Sequence, residues 1–160
     1  MIILSMNIRG VGGAPILRAL RRIFEIVRPD VILIQETMVP ADKAIDVLSK
    51  VVGSWHMSAV DATGRSGGLL TAWNPYRGIF DVYKSDAGIL LLGRFMNGVQ
   101  VNKILNCYGP YHDRIPFWNR IQSGGLLRER GLIIGGDLNF TLSARETWGC
   151  TRLDPDAEYF

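Results

Sequence analysis

Two packed β-sheets flanked by helices, an α/β (α+β) sandwich, is the architecture this sequence predicts. The first reason is the opening, where short apolar strand patterns alternate with amphipathic helical ones. The second is the middle, where the pattern changes to short strands divided by Gly, Pro, Asn and Asp. The third is that four apolar runs each end in an oxygen-bearing polar residue, as strands do when their ends build a common rim.

The elements follow in order. Ile2-Ile3-Leu4-Ser5-Met6 reads as a strand and runs into Asn7. Arg9-Gly10-Val11-Gly12-Gly13 is a flexible loop. The helix after it carries Pro15 in its first turn, where a missing N–H costs nothing. Leu17, Leu20, Phe24 and Val27 recur every three or four residues, with Arg18, Arg21, Arg22 and Glu25 opposite, and Pro29 stops the helix. Val31–Gln35 is a β-rich apolar strand that ends at Glu36. A second helix spans Ala41–Val52, with Ala44, Leu48 and Val51 inward and Gly53 closing it.

Trp55–Val60, Gly68–Trp73, Ile79–Lys84 and Ile89–Phe95 then read as an antiparallel meander. Asn97-Gly98, between Ile89–Phe95 and Val99–Tyr108, is a type I′ hairpin signal. Past Gly109-Pro110, Asp113 is placed to cap a helix carrying Phe117, Trp118 and Ile121, which Gly124-Gly125 weakens or bends. Leu132–Gly135 is the eighth strand, and its Leu, Ile and Gly suit a strand covered on both faces. From Asn139 the pattern is loop with one short helical turn. No repeat, low-complexity tract or linker divides the chain, so residues 1–160 read as a single domain.

Composition bounds the function. The chain has 160 residues, 48% hydrophobic and 21% charged, which is ordinary globular composition and argues against disorder. No apolar run approaches the roughly 20 residues of a membrane span, so no membrane partner is expected. Met1 leads straight into a strand pattern without the basic and apolar regions of a secretory signal. Cys107 and Cys150 form no CxxC pair, which disfavours a zinc or redox motif. The expected address is intracellular, the nucleus included. The net charge of +3 is compatible with a phosphate-rich partner without demanding one.

The four polar ends are Asn7, Glu36, Tyr108 and the pair Asp137 and Asn139. If their strands are neighbours, one rim carries two carboxylates, two side-chain amides and a phenol. Hard oxygen ligands of this kind suit Mg²⁺, which prefers one or two carboxylates, water and substrate phosphate. Taken singly, an Asp or Asn after a strand is more often a turn residue. Glu36, at the end of an apolar strand, must be solvated, paired or metal-bound. In Gly135-Gly136-Asp137-Leu138-Asn139 the glycines allow close backbone approach, and Asp137 and Asn139 share a side if the segment stays extended. Asp137 could then orient or deprotonate a water, and Asn139 could hydrogen-bond a phosphate oxygen. Arg9 and Arg65 lie in Gly-rich loops near this rim, and His112 follows Tyr108-Gly109-Pro110-Tyr111; all three are candidate substrate contacts. Ser66-Gly67-Gly68 offers backbone N–H groups to an anion, or a plain turn. His56, inside a strand pattern, reads as a surface or satisfied histidine.

Met6-Asn7-Ile8-Arg9-Gly10, Ile34-Gln35-Glu36-Thr37, Ser66-Gly67-Gly68, Asn106-Cys107-Tyr108-Gly109-Pro110, Phe117-Trp118 and Gly135-Gly136-Asp137-Leu138-Asn139 carry a resemblance. Together and in this order they resemble the endonuclease/exonuclease/phosphatase family. Within it the chain most resembles the apurinic-type endonuclease domain of plant non-LTR (LINE-type) retrotransposons. The resemblance implies a two-sheet, four-layer α/β sandwich that hydrolyses phosphodiesters of DNA with Mg²⁺ or Mn²⁺. It implies that Asn7 and Glu36 hold the metal, Glu36 directly. It implies that Tyr108 supports the scissile phosphate, Asp137 aligns the attacking water and Asn139 stabilises the charge that develops on phosphorus.

One part of the family pattern has no counterpart. The family's domain runs nearer the 200–250 residues that some single domains reach. It carries a further aspartate and a Ser-Asp-His triplet, and no Ser-Asp-His occurs in these 160 residues. Neither His56 nor His112 takes its place. The expectation is therefore a C-terminally truncated domain with the metal half of the site, impaired activity, and an open sheet edge that favours self-association. The alternatives are a non-catalytic nucleic-acid-binding remnant and a phosphatase acting on small phosphorylated substrates.

Overall fold

A computed structural model describes residues 1–63, 66–128, 130–141, 143–146 and 154. Strand β1 (Ile3–Asn7) leads through helix α1 (Ala14–Val27) to strand β2 (Val31–Gln35), and the two strands pair in parallel. Helix α2 (Ala41–Val52) then leads to the hairpin of β3 (His56–Thr63) and β4 (Ser66–Trp73). Strand β4 returns antiparallel to β2, giving a first sheet in the order β1-β2-β4-β3. Strands β5 (Gly78–Ser85), β6 (Gly88–Phe95) and β7 (Asn102–Tyr108) form an antiparallel run. Helix α3 (Arg114–Ser123) carries the chain over to β8 (Leu132–Asp137), which pairs in parallel with β7. The second sheet is β5-β6-β7-β8.

The alternation of side chains along each strand sorts the core into three clusters. Val31 and Leu33 of β2 meet Trp73, Phe80, Leu91 and Ile104 between the sheets. Ile32, Ile34, Leu70 and Ala72 point the other way, under Ala44 and Leu48 of α2 and Phe24 of α1. Leu105 and Cys107 of β7 lie beneath Phe117, Trp118 and Ile121 of α3, with Leu132 and Ile134 of β8 alongside. The result is four layers: helices, sheet, sheet, helix. Because β2 is covered on both faces, all five of its residues are buried, which is why its sequence shows no polar alternation.

The structure differs from the sequence pattern in four places. The meander from Trp55 to Tyr108 is split between sheets: β3 and β4 join β2, and the chain crosses over before β5. The apolar face of the β3–β4 hairpin is needed to cover α2 and the inner core, and hairpin periodicity does not say which sheet a hairpin joins. Asn97-Gly98 is not a type I′ turn, since neither residue has positive φ. The turn bond runs from Gly98 N–H to Phe95 O, and the β6–β7 ladder ends at Gly93 opposite Asn102. Phe95 instead pairs with Gly78 of β5, so β7 starts three residues later than its apolar pattern suggests. Asp113 precedes α3 with φ 54° and makes no capping bond through its side chain. Finally, the segment after Asp137 is not extended, because Asn139 adopts φ 53°.

Strand β8 stands last in its sheet, and each of its residues is half-buried. Strand β1 stands last in the other sheet and packs against β8 across the sandwich. Both unpaired edges therefore open on one side of the described molecule.

Candidate functional site

Four strand ends meet where β1 and β2 of one sheet face β7 and β8 of the other. Asn7 ends β1, Glu36 follows β2, Tyr108 ends β7 and Asp137 ends β8. Tyr108 and Asp137 are register partners across the parallel β7–β8 ladder, so their side chains leave the sheet together. Glu36 would alternate away from the sandwich interior if β2 continued straight. Its φ of 53° turns it towards the mouth instead. Arg9, Met38 and Asn139, all close to this mouth, also have positive φ. A non-glycine residue held there costs on the order of 1–3 kcal/mol, and such strain persists where the surroundings over-determine it.

Asn7 is the hub. Its Nδ2 donates to Glu36 Oε1 at 3.0 Å and to Asp137 Oδ2 at 2.7 Å, so one amide bridges both carboxylates. Its own Oδ1 accepts the Arg9 backbone N–H at 3.2 Å. The Tyr108 hydroxyl donates to Glu36 Oε1 at 2.9 Å. Burial first, then hydrogen bonds to Tyr111 and Glu36 and the charge of Glu36, raise the Tyr108 phenol well above its usual range. It therefore stays a neutral donor at ordinary pH. Asp137 Oδ1 accepts the Asn139 backbone N–H at 3.0 Å, which closes a tight turn. The Asn139 side chain donates to Gly109 O at 2.6 Å, tying the β8 end to the β7 end.

Glu36 is only 5% exposed, yet its partners are neutral: an amide and a phenol, both on Oε1. Among the described residues no Lys or Arg pairs with it. A buried carboxylate without a cation is costly. The arrangement thus suits a bound cation at the free Oε2. No group of three His, Cys, Asp or Glu comes together among the described residues, so a closed, all-protein cage is not formed. One carboxylate with a nearby amide and open solvent matches the water-rich coordination of Mg²⁺, which also recruits substrate phosphate.

Two cavities flank the cluster. One of about 520 Å³ is lined by Ser5, Asn7, Gln35, Asp137 and Glu146. The other, of about 450 Å³, is lined by Tyr108, Pro110, His112, Asp113 and Arg120. His112 is thus exposed beside Tyr108, whereas Arg9 is exposed in the loop after β1 and meets Asn7 through its backbone. Arg65 lies outside the described residues. His56 stacks its ring edge-on against Trp73 at 5.4 Å, away from the mouth. A further cavity of about 440 Å³ lies at the opposite pole, where α1 and α2 end, and Arg21, Arg28 and Arg77 there face Glu25 and Asp30.

Three polar features are missing from the sequence pattern. Arg114 Nη1 donates to Asn139 O at 2.9 Å and pairs with Asp154 at 2.6 Å, both side chains being largely buried. Thr37, fully buried beside Glu36, has an unpartnered hydroxyl. Gln35 and Asn106 are buried between the sheets and bonded to each other at 2.8 Å. A polar residue inside a strongly apolar strand is the one sequence signal that could have found the last pair.

The comparisons with known proteins bear on the family and the fold. The family model described as Endonuclease/Exonuclease/phosphatase family matches residues 4–155. None of the curated proteins with which the sequence was compared matches it. The catalytic domain of Xenopus laevis APE2 superposes with a TM-score of 0.70 at 20% identity, covering 100% of this chain and 64% of that one. The AP endonuclease LMAP from Leishmania major gives 0.66 at 16%, covering 92% and 58%. TDP2 from Caenorhabditis elegans gives 0.56 at 19%, covering 96% and 50%. At these identities the likeness is one of fold. The chain spans less than two thirds of the length of each of these structures.

Proposed function

The chain belongs to the endonuclease/exonuclease/phosphatase family, and on that premise we propose that its strand-end cluster is the metal half of a phosphodiesterase site acting on DNA. The observation that carries the reading is Glu36, a buried carboxylate whose partners among the described residues are the Asn7 amide and the Tyr108 phenol. In this reading Glu36 holds Mg²⁺ or Mn²⁺ directly, and Asn7 orients that carboxylate. The ion, when bound, supplies Lewis-acid charge next to a phosphate oxygen. Tyr108, kept neutral, donates to the scissile phosphate. Asp137, oriented by Asn7 and the Asn139 N–H, aligns the attacking water. Asn139 supplies a side-chain donor to the charge that develops on phosphorus. His112 and Arg9 are the nearest described candidates for contacts to the flanking strand, and Arg65 is a candidate from the sequence alone.

The finer reading is a retrotransposon-type endonuclease of the plant LINE class, supported by the motif order and the Phe117-Trp118 helix packed over β7. We take the 160 residues to be part of a larger domain. Two features support this: the chain spans only 64% and 58% of the first two structural relatives, and among the described residues no strand pairs with the outer edges of β1 and β8. A second reading is a non-catalytic nucleic-acid-binding remnant.

Nicking of supercoiled plasmid separates the two readings. Positioned acid–base help is typically worth about 10²–10⁴ in rate. The 160-residue chain should therefore nick negligibly in Mg²⁺. Adding a family C-terminal segment with Ser-Asp-His in cis should restore nicking, and Asp137→Ala should abolish it again. Nicking that survives Asp137→Ala, or a completed domain that binds DNA without nicking it, would overturn the first reading.

A further inference from the structure

One layer below the strand-end cluster lies a polar layer that apolar packing does not require. Gln35 is 1% exposed and Asn106 is fully buried. Gln35 Nε2 donates to Asn106 Oδ1 at 2.8 Å and lies 3.3 Å from Ser5 Oγ. Asn106 Nδ2 lies 3.1–3.2 Å from Ile34 O, Leu70 O and Thr71 Oγ1. Asn106 belongs to β7 of the second sheet, whereas every partner of its amide belongs to β2 or β4 of the first. The group is therefore a buried directional link between the two sheets, beneath the Asn7–Asp137 and Tyr108–Glu36 bonds at the mouth. Each member also sits just beneath a residue of the cluster. Gln35 precedes Glu36. Asn106 precedes Tyr108 on the same face of β7, and Ser5 precedes Asn7 on the same face of β1. The register of β7 and β8 places Asn106 opposite Gly135, where a Cβ would lie 2.5 Å from Leu33 Cδ1. The sheets thus approach closely at this level.

We infer that Gln35 and Asn106 are positioning residues that set one sheet against the other so that Asn7 and Glu36 meet Tyr108 and Asp137. Dispersion and apolar burial are non-directional and tolerate small slides between sheets. The Asn7 amide tolerates none, because its bonds to Glu36 and Asp137 span both sheets. A buried hydrogen-bonded network is the device that selects one arrangement. The inference rests on the proposed metal-dependent reading only for its functional consequence; the geometric claim stands apart from it.

The test compares Gln35→Met/Asn106→Leu, which removes both partners, with Gln35→Asn/Asn106→Gln, which exchanges the two amides. Removing both amides together spares the cost of leaving one of them unpaired, and of their buried side-chain partners only Thr71 loses a bond, so the apolar pair is built to fold. The readout is the side-chain amide resonance of Asn7 in asparagine-labelled protein, assigned with Asn7→Ala; it needs neither metal nor turnover. In the parent and the exchanged pair this resonance should be displaced from the free-asparagine position. In the apolar pair it should return towards that position while circular dichroism and cooperative urea unfolding persist. Gln35→Met alone replaces the apolar pair if the latter does not fold. An undisplaced Asn7 resonance in the parent, or an unchanged one in the folded apolar variant, overturns the inference. Mn²⁺ affinity, measured alongside, should fall about tenfold or more in the apolar variant, as when outer-shell support of a metal ligand is lost. A displaced Asn7 resonance in a parent that binds no Mn²⁺ would defeat the proposed function and leave the positioning role supported.

Discussion

Asn7 shows how one neutral side chain can hold two anions. Its amide hydrogens are shared between Glu36 and Asp137, which fixes the place of both carboxylates and leaves Glu36 Oε2 to a cation. Tyr108 completes the set as a neutral donor, its phenol raised further by burial first and then by Tyr111 and Glu36. On the opposite face of the same strand, burial raises the Cys107 thiol to about 12. Folding favours its neutral form, so its contribution to stability is complete below the ordinary thiol range and fades as pH rises through about 12. In a Cys150→Ser background, Cys107 should therefore resist a thiol reagent at pH 8 and react fully in urea. Stoichiometric labelling of the native protein would contradict its placement beneath α3. Residue types at the site were readable because each ends an apolar run. The bonds that organise them were not, since Asn7 and Asp137 stand far apart in sequence and only the fold brings them to 2.7 Å.

At the level of elements, the glycines of β8 differ in what they protect. A Cβ on Gly136, whose φ is 150°, would lie 1.8 Å from the Cys107 carbonyl oxygen, which the ladder holds in place. A Cβ on Gly135 would meet the end of the Leu33 side chain at 2.5 Å, and that side chain can shift. Gly136→Ala should therefore cost on the order of 3 kcal/mol or more and Gly135→Ala nearer 1–2 kcal/mol, read from urea midpoints at constant slope. Equal costs would mean that the β7–β8 ladder is not as tight as drawn. Strand and helix identities follow from periodicity here: β2 is an apolar run, and α2 buries Ala44 and Leu48 as its spacing implies. Sheet membership does not follow from periodicity. The β3–β4 and β5–β6 hairpins look alike in sequence, and only packing against β2 and α2 assigns the first to the β1 sheet. Gln35 and Asn106 escaped for a related reason: inside an apolar strand, a polar residue reads as a flaw until a partner from the other sheet is seen beside it.

For the whole molecule, the consequence lies in the side shared by β1 and β8. Among the described residues each offers an unpaired edge, and β8 keeps Leu132, Ile133 and Ile134 half-buried beside it. Unpaired strands of this composition are templates for pairing with another chain. The 160 residues should accordingly self-associate in sedimentation velocity at tens of micromolar, and a C-terminal family segment in cis or in trans should relieve it. A compact monomer under those conditions would show that the sandwich closes in some other way. The central claim is narrower: the meeting of the two sheets at Asn7, Glu36, Tyr108 and Asp137 builds a divalent-cation site on Glu36. Titration calorimetry with Mn²⁺ tests it most directly, comparing the chain with Glu36→Gln. A single weak site in the parent, weakened by about tenfold or more in Glu36→Gln, is the predicted result. Identical Mn²⁺ binding by the two proteins would contradict it.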